Sequence, residues 1–319
     1  MRRSDFDITD KVRTTDPIQV CDYVVNLFLS SYPDGNSRPM RRAFEDMSQM
    51  YHGKHPDYHS CDTDYHDIQH VLDVTLAMAR LLDGYQRDRE EHASLPPDYF
   101  NIGIVIALFH DIGYLRRRND HKHRFGAEYT LTHVGRGARF LRDYLPRIGL
   151  KRYAVGAPVL VHFTGYERDA DTISVKDPVM RRIGEILGTA DIIAQMSDRC
   201  YLEKCHDRLY PEFVLGGIAR RKFPNGRIVV TYKSGKDLLR KTPAFYMNAM
   251  KRLDEKLHRA YRYAEIHFGG QNLYLQEMEK NAMHALAAAK VTGRKQLRRT
   301  PSSTLLPGVR PYPETLVIL

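Results

Sequence analysis

The segment Ile102 to Phe109 (IGIVIALF) is an apolar run that ends on an adjacent His110-Asp111 pair. It is far shorter than the roughly 20 residues a bilayer span needs. It therefore predicts a buried core helix, opened by Pro96-Pro97. A core helix that carries an imidazole and a carboxylate to its own end must give both a partner, because burying an unpaired carboxylate is costly. A divalent cation is one such partner, with His giving nitrogen and Asp giving oxygen. A carboxylate that caps the next turn, beside a surface histidine, is the other.

Four further segments repeat the pattern. In Tyr65 to Val74 (YHDIQHVLDV), His66 and His70 stand four apart and Asp73 follows three later, so a helix puts all three on one face. His133 lies in LTHVGRGARFL, His162 ends the apolar run VLVHF, and Asp191 interrupts the apolar stretch ILGTADIIA. Taken singly, each reads as an ordinary satisfied polar residue. Together, five placements at apolar helix faces or ends predict a shared pocket.

The rest of the chain reads as helix. The apolar periodicity predicts helices near 20–29, 41–51, 68–85, 97–110, 127–144, 153–161, 179–203, 246–267 and 271–290. The strand signal is Arg227 to Tyr232 after Asn225-Gly226, a small hairpin near 222–233. The expectation is an all-α helical bundle, and 42% hydrophobic residues over 319 supply a full core. Cys21, Cys61, Cys200 and Cys205 form no Cys-x-x-Cys pair and read as reduced thiols, not a closed zinc site. The polar start, Met1-Arg2-Arg3-Ser4-Asp5, carries no secretory apolar region, and a cytoplasmic protein is expected.

The formal net charge is +10. Arg294, Lys295, Arg298, Arg299 and Arg310 in the tail stand against Glu314 alone. A positive field suits a small anionic substrate such as a phosphate ester. Nucleic acid stays open as a partner but nothing singles it out: no aromatic-rich basic stripe or Gly-rich phosphate loop occurs. A homodimer stays open too, and no membrane span is expected.

The set His70, His110-Asp111 and Asp191 resembles the HD superfamily of metal-dependent phosphohydrolases, across about residues 58–205. Tyr65 to Val74 is also similar to a helix signature of the cyclic-nucleotide phosphodiesterases, Tyr-His-Asn-x-x-His-Ala-x-Asp-Val, departing from it at Asp67 and Val71. The resemblance implies an HD-domain bundle with a metal-binding catalytic core over 58–210; around it the pattern of the chain gives a helical addition over 1–57, a hairpin and helices over 211–290, and a basic, Pro/Ser-containing tail over 291–319 that is expected to be poorly ordered. It implies two divalent ions (Mn, Fe, Zn, Mg or Ni) on His70, His110, Asp111, His133, His162 and Asp191, with Asp111 and a hydroxide shared between them. His66 matches the family's general acid, and Asp73 is a candidate to orient a ligand imidazole. For substrate, Tyr114, Arg118, Lys122, Glu128 and Gln195 are the candidates: a cationic loop after the doublet can clamp phosphate oxygens, although such a charge run is also what a solvated surface looks like. The Lys and Gly-Tyr-Pro signature of the cyclic-dinucleotide hydrolases is missing, with Tyr114 in the Lys position. The implied activity is hydrolysis of a cyclic nucleotide or related phosphodiester. A diiron oxygenase on the same ligands and a non-catalytic nucleotide-binding signalling module are the alternatives.

Overall fold

The computed structural model describes residues 3–88, 94–223, 225–290, 297–309 and 312. Its helices are α1 (Pro17–Ser31), α2 (Arg38–Tyr51), α3 (Ile68–Arg87), α4 (Pro97–Phe109), α5 (His133–Tyr144), α6 (Pro178–Ser197), α7 (Tyr201–Lys204), α8 (Tyr210–Leu215), α9 (Gly235–Glu255), α10 (Arg262–His267) and α11 (Leu273–Lys290). Among the described residues the one sheet is an antiparallel pair, β1 (Arg220–Lys222) and β2 (Ile228–Val230), with Arg221 opposite Val229. The fold is all-α, as the sequence predicts. No described helix is long and apolar enough to cross a membrane.

Helix α3 is the axis of the bundle. Val71, Leu72, Val74, Leu76, Met78, Leu81 and Leu82 point in every direction around it and are all buried. A helix apolar on all sides needs neighbours on all sides, and α1, α4, α6 and α10 supply them. Gly84 lets α10 come close, because a Cβ there would stand 1.8 Å from the Tyr263 carbonyl oxygen. Helix α4 is buried throughout from Phe100 to Phe109. Side-chain caps fix the starts of four long helices: Asp16 for α1, Asp67 for α3, Asp177 for α6 and Ser234 for α9. The N-terminal segment is clasped to α3 by a buried ion pair, Arg80 Nη2 to Asp7 Oδ2 at 2.5 Å.

Several predicted boundaries are corrected. The stretch 153–161 is not an α-helix but short 3₁₀ turns, Lys151–Tyr153 and Ala157–Phe163. Pro158 lacks an amide donor, and Gly156 with the β-branched Val155, Val159 and Val161 disfavours a regular helix. The helix expected from 127 starts only at His133, after a 3₁₀ turn at Gly126–Tyr129. The one expected over 179–203 ends at Ser197, where Asp198 turns extended. The helix expected over 246–267 starts earlier, at Gly235, and breaks after Glu255, where His258 and Arg259 take φ of 48° and 54°. The four cysteines are free and buried.

Candidate metal centre

Four elements converge in the middle of the bundle. His70 stands in the first turn of α3, His110 caps the end of α4 with Asp111 next to it, His133 opens α5, and Asp191 lies within α6. His70 Nε2 is 3.3 Å from Asp111 Oδ2, 3.5 Å from Asp191 Oδ1 and 3.4 Å from His110 Nε2. His110 Nε2 is 3.2 Å from Asp111 Oδ2 and 4.0 Å from Asp191 Oδ1. Two atoms that each lie about 2.1 Å from one cation stand roughly 3.0–3.5 Å apart, so most of these spacings fit a shared ion. The ligand atoms of His70, His110 and Asp191 all fall within 4.8 Å of one another. Asp111 uses both oxygens: Oδ2 faces that group, and Oδ1 is 3.5 Å from His133 Nε2.

The ring orientations point the same way. His110 Nδ1 donates to the Ala107 carbonyl and His133 Nδ1 to the Thr130 carbonyl, both at 2.7 Å. A carbonyl only accepts, so in each ring Nδ1 carries the proton and a neutral ring leaves a lone pair on Nε2. This is how metal-ligating imidazoles are held. His162 Nδ1 is held likewise, at 2.7 Å from Glu167 Oε1. Burial opposes a charge on His110, yet the Asp111 carboxylate overrides it and pushes the imidazole up to about 9. Burial also works against the Asp111 charge, but His110 and His70 hold its carboxyl well below the usual range. Burial keeps His133 below its ordinary value. The donor set of neutral-capable imidazoles and buried carboxylates fits a divalent cation such as zinc, manganese or iron.

His66 lies beside this group, in the loop that leads into α3. Its Nδ1 makes a short bond to Glu212 Oε2, and the Tyr65 amide donates to Glu212 Oε1 at 2.6 Å. Burial disfavours the His66 charge, but Glu212 outweighs it and raises the imidazole above its ordinary value. Tyr114 is sandwiched between two rings, with centroids 4.3 Å from His66 and 4.3 Å from His133, nearly parallel to both. Glu212 comes from α8, which continues from a π-helical turn at Cys205–Leu209. Such wide turns shift the phase of the next helical residues and recur at functional sites.

The structure thus brings together His66, His70, His110, Asp111, Tyr114, His133 and Asp191. Gln195 joins them: its Oε1 accepts from the Tyr65 hydroxyl at 3.1 Å, and its Nε2 donates to Asp191 Oδ1 at 3.4 Å. His162 makes none of these Asp111 or Asp191 contacts. The other residues named for substrate make none of these contacts. Arg118 is exposed and bonds the Gly53 carbonyl, and Lys122 is exposed. Glu128 ties its own loop, accepting from the Arg124 and Phe125 amides at 2.7 Å each. Asp73 lines a small cavity together with His70, Gln195 and Lys204. Burial pushes its carboxyl up to about 8. Sequence reasoning missed Glu212 and Glu167. Glu212 carried a usable signal, an acid among Tyr210, Pro211, Phe213 and Val214. Glu167, in a polar turn, carried none.

No protein-family model and no curated protein matches the chain. Among solved structures, the chain is similar to the phosphodiesterase domain of the RhoPDE fusion protein from the choanoflagellate Salpingoeca rosetta. The two share 14% sequence identity with a TM-score of 0.51, over 90% of this chain and 95% of that one. At that identity the likeness establishes a shared helical fold.

Proposed function

We propose that the chain is a metal-dependent phosphohydrolase of the HD type, a phosphodiesterase for a cyclic nucleotide or related phosphodiester. The observation that carries this reading is the pairing of two features. One is a buried His/Asp cluster with ligand spacings; the other is a histidine beside it that is gripped by a buried carboxylate. His70, His110, Asp111 and Asp191 would hold one divalent cation. Asp111 Oδ1 with His133 and His162 would hold a second. Bound cations supply Lewis acidity and a water of lowered pKa.

The protein's own groups do the rest. Glu212 balances the charge of an imidazolium at His66 and fixes the ring through Nδ1, which leaves Nε2 as the proton-bearing edge. From there His66 can protonate the leaving oxygen as the phosphorus–oxygen bond breaks. Tyr114, packed between His66 and His133, keeps the acid and the ligand imidazole in separate places. Gln195 steadies Asp191. The HD core would span 58–210, with 1–57 and 211–290 as helical additions. A gripped proton donor favours hydrolysis over a diiron oxygenase on the same ligands, because splitting a phosphoester needs a leaving-group acid.

The test is a substrate panel of cyclic nucleotides, linear phosphodiesters and nucleoside monophosphates, run after chelation and after adding back Mn, Zn, Fe, Mg or Ni. Turnover of a phosphodiester that disappears on chelation and returns with metal is expected. Metal-dependent oxygen consumption without phosphate-ester cleavage would move the assignment to the oxygenases.

A further inference from the structure

The hairpin after α8 bares apolar side chains to solvent among a cluster of cations. Its base is fixed. The Ile218 and Ala219 amides both donate to the Phe213 carbonyl at 2.8 Å, the Thr231 amide donates to the Ala219 carbonyl at 2.9 Å, and the Tyr232 ring stacks on Phe213 at 5.7 Å. Beyond that base, β1 and β2 are exposed along their whole length. Opposite residues of an antiparallel pair share a face. The register sets Arg220 against Val230 and Lys222 against Ile228 on one face, and Arg221 against Val229 on the other. Each pair joins one cation to one β-branched aliphatic side chain, so both faces carry the same mixture. Phe223, Ile228, Val229 and Val230 are between 36% and 48% exposed. Between residues 220 and 230 the sequence carries four cations, Arg220, Arg221, Lys222 and Arg227, all exposed, and no acid. The next eleven residues add four more against Asp237 alone, which accepts from the Lys233 amide at 3.0 Å and pairs with Lys241 at 3.2 Å.

We propose that this hairpin is a peripheral docking surface for an anionic lipid bilayer. The cations are drawn to the anionic headgroups, and the aliphatic side chains leave water at the boundary of headgroups and acyl chains. An interfacial surface needs both parts, and each cross-strand pair supplies both. A nucleic acid would take up the charges through its phosphates and leave Ile228, Val229 and Val230 in water. Cations alone would serve to keep an open strand edge from pairing with another chain, but β-branched side chains bared on both faces work against that end. The attachment lies outside the His/Asp cluster and does not depend on the hydrolase reading.

The experiment is cosedimentation of the full chain with vesicles of phosphatidylcholine alone and of phosphatidylcholine with phosphatidylserine, at physiological salt. Wild type should bind the second and not the first. A cation near such a surface is worth roughly fivefold in partition, so the triple variant Arg221→Ala, Lys222→Ala, Arg227→Ala should bind roughly 100-fold more weakly. The double variant Ile228→Ser, Val230→Ser keeps every charge and should still lose roughly 10-fold. Both change only exposed positions, and an unchanged Tm shows that the bundle is kept. The chain has no tryptophan, so Phe223→Trp gives a single reporter on the hairpin. Its emission should shift to the blue with phosphatidylserine vesicles and stay in place with a DNA duplex. Should either multiple variant melt early, this reporter decides on its own. Wild type that ignores phosphatidylserine vesicles, or binding that survives both variants, would overturn the proposal. So would a loss confined to the cation variant with the reporter unmoved, which makes the hairpin a general polyanion surface. A reporter that shifts with protein concentration and no vesicles would give the hairpin to a second copy of the chain instead.

Discussion

The His66 ring is held on two sides by groups of different kinds. Glu212 takes its Nδ1, and Tyr114 stacks on its face. Neither contact needs a metal ion, whereas His110 and His133 turn their Nε2 atoms to Asp111. His66→Ala should therefore keep bound metal near the wild-type level while turnover falls by roughly 10²–10⁴-fold. The loss should be smaller for nitrophenyl esters, whose leaving group needs little protonation. Glu212→Gln should show the same pattern to a lesser extent. Metal analysis beside kinetics on the two substrate types checks both, and loss of metal in His66→Ala would make it a ligand. At this scale His70, His110, Asp111, His133 and Asp191 were legible because each ends or interrupts an apolar helix, where a polar group has to be explained. Glu212 gave the same kind of signal but stood outside the segment that resembles the HD superfamily.

Between elements, the centre depends on how closely the turn after α4 approaches α5. Gly113 sits in that turn, and a Cβ added there would stand 2.0 Å from the His133 carbonyl oxygen. Backbone cannot yield as a flexible side chain does, so Gly113→Ala should push α5 away and carry His133 out of reach of Asp111 Oδ1. The expected cost is about 1–3 kcal/mol, the usual range for overpacking, seen as a lower Tm together with weaker metal retention. A fall in Tm with metal affinity intact would place the strain elsewhere. The long helices were readable from sequence since apolar residues recur with helical period over many turns. The 3₁₀ turns over 151–163 were not, because a short apolar stretch with Val, Gly and Pro fits a helical template until the backbone donors are counted. Neither was the break between α9 and α10, which rests on two positive-φ residues, His258 and Arg259, that carry no glycine signal.

Across the whole molecule, distant parts of the chain are tied to one axis. Asp7 pairs with Arg80 of α3, which also donates to the Tyr274 hydroxyl of α11 at 3.0 Å. Burial works against the Asp7 charge, yet Arg80 and the bonds from Val12 and Thr9 hold its carboxyl below the usual range. An unfolded aspartate titrates near about 3.9. Between that value and the lower folded one the unfolded chain binds more protons, so stability falls with falling pH. The contribution is present in full above that range and is lost on acidification through it. Asp7→Asn should cost about 3–5 kcal/mol near neutral pH, as removal of one partner of a buried pair does. The gap to wild type in urea unfolding should narrow below about pH 4, and a gap independent of pH would show that the pair is not what Asp7 contributes. The same convergence of α3, α4, α5 and α6 on one point makes the candidate metal centre a property of the entire bundle. The direct measurement is divalent metal per chain, by elemental analysis after equilibration with manganese or zinc, for wild type and Asp111→Asn. Wild type should retain about two ions per chain, the number a carboxylate shared between paired metals serves, and Asp111→Asn should lose them together with phosphodiester turnover. A wild-type chain that holds no ion, or an Asp111→Asn chain that keeps its full complement, would contradict the assignment of this cluster as the metal centre.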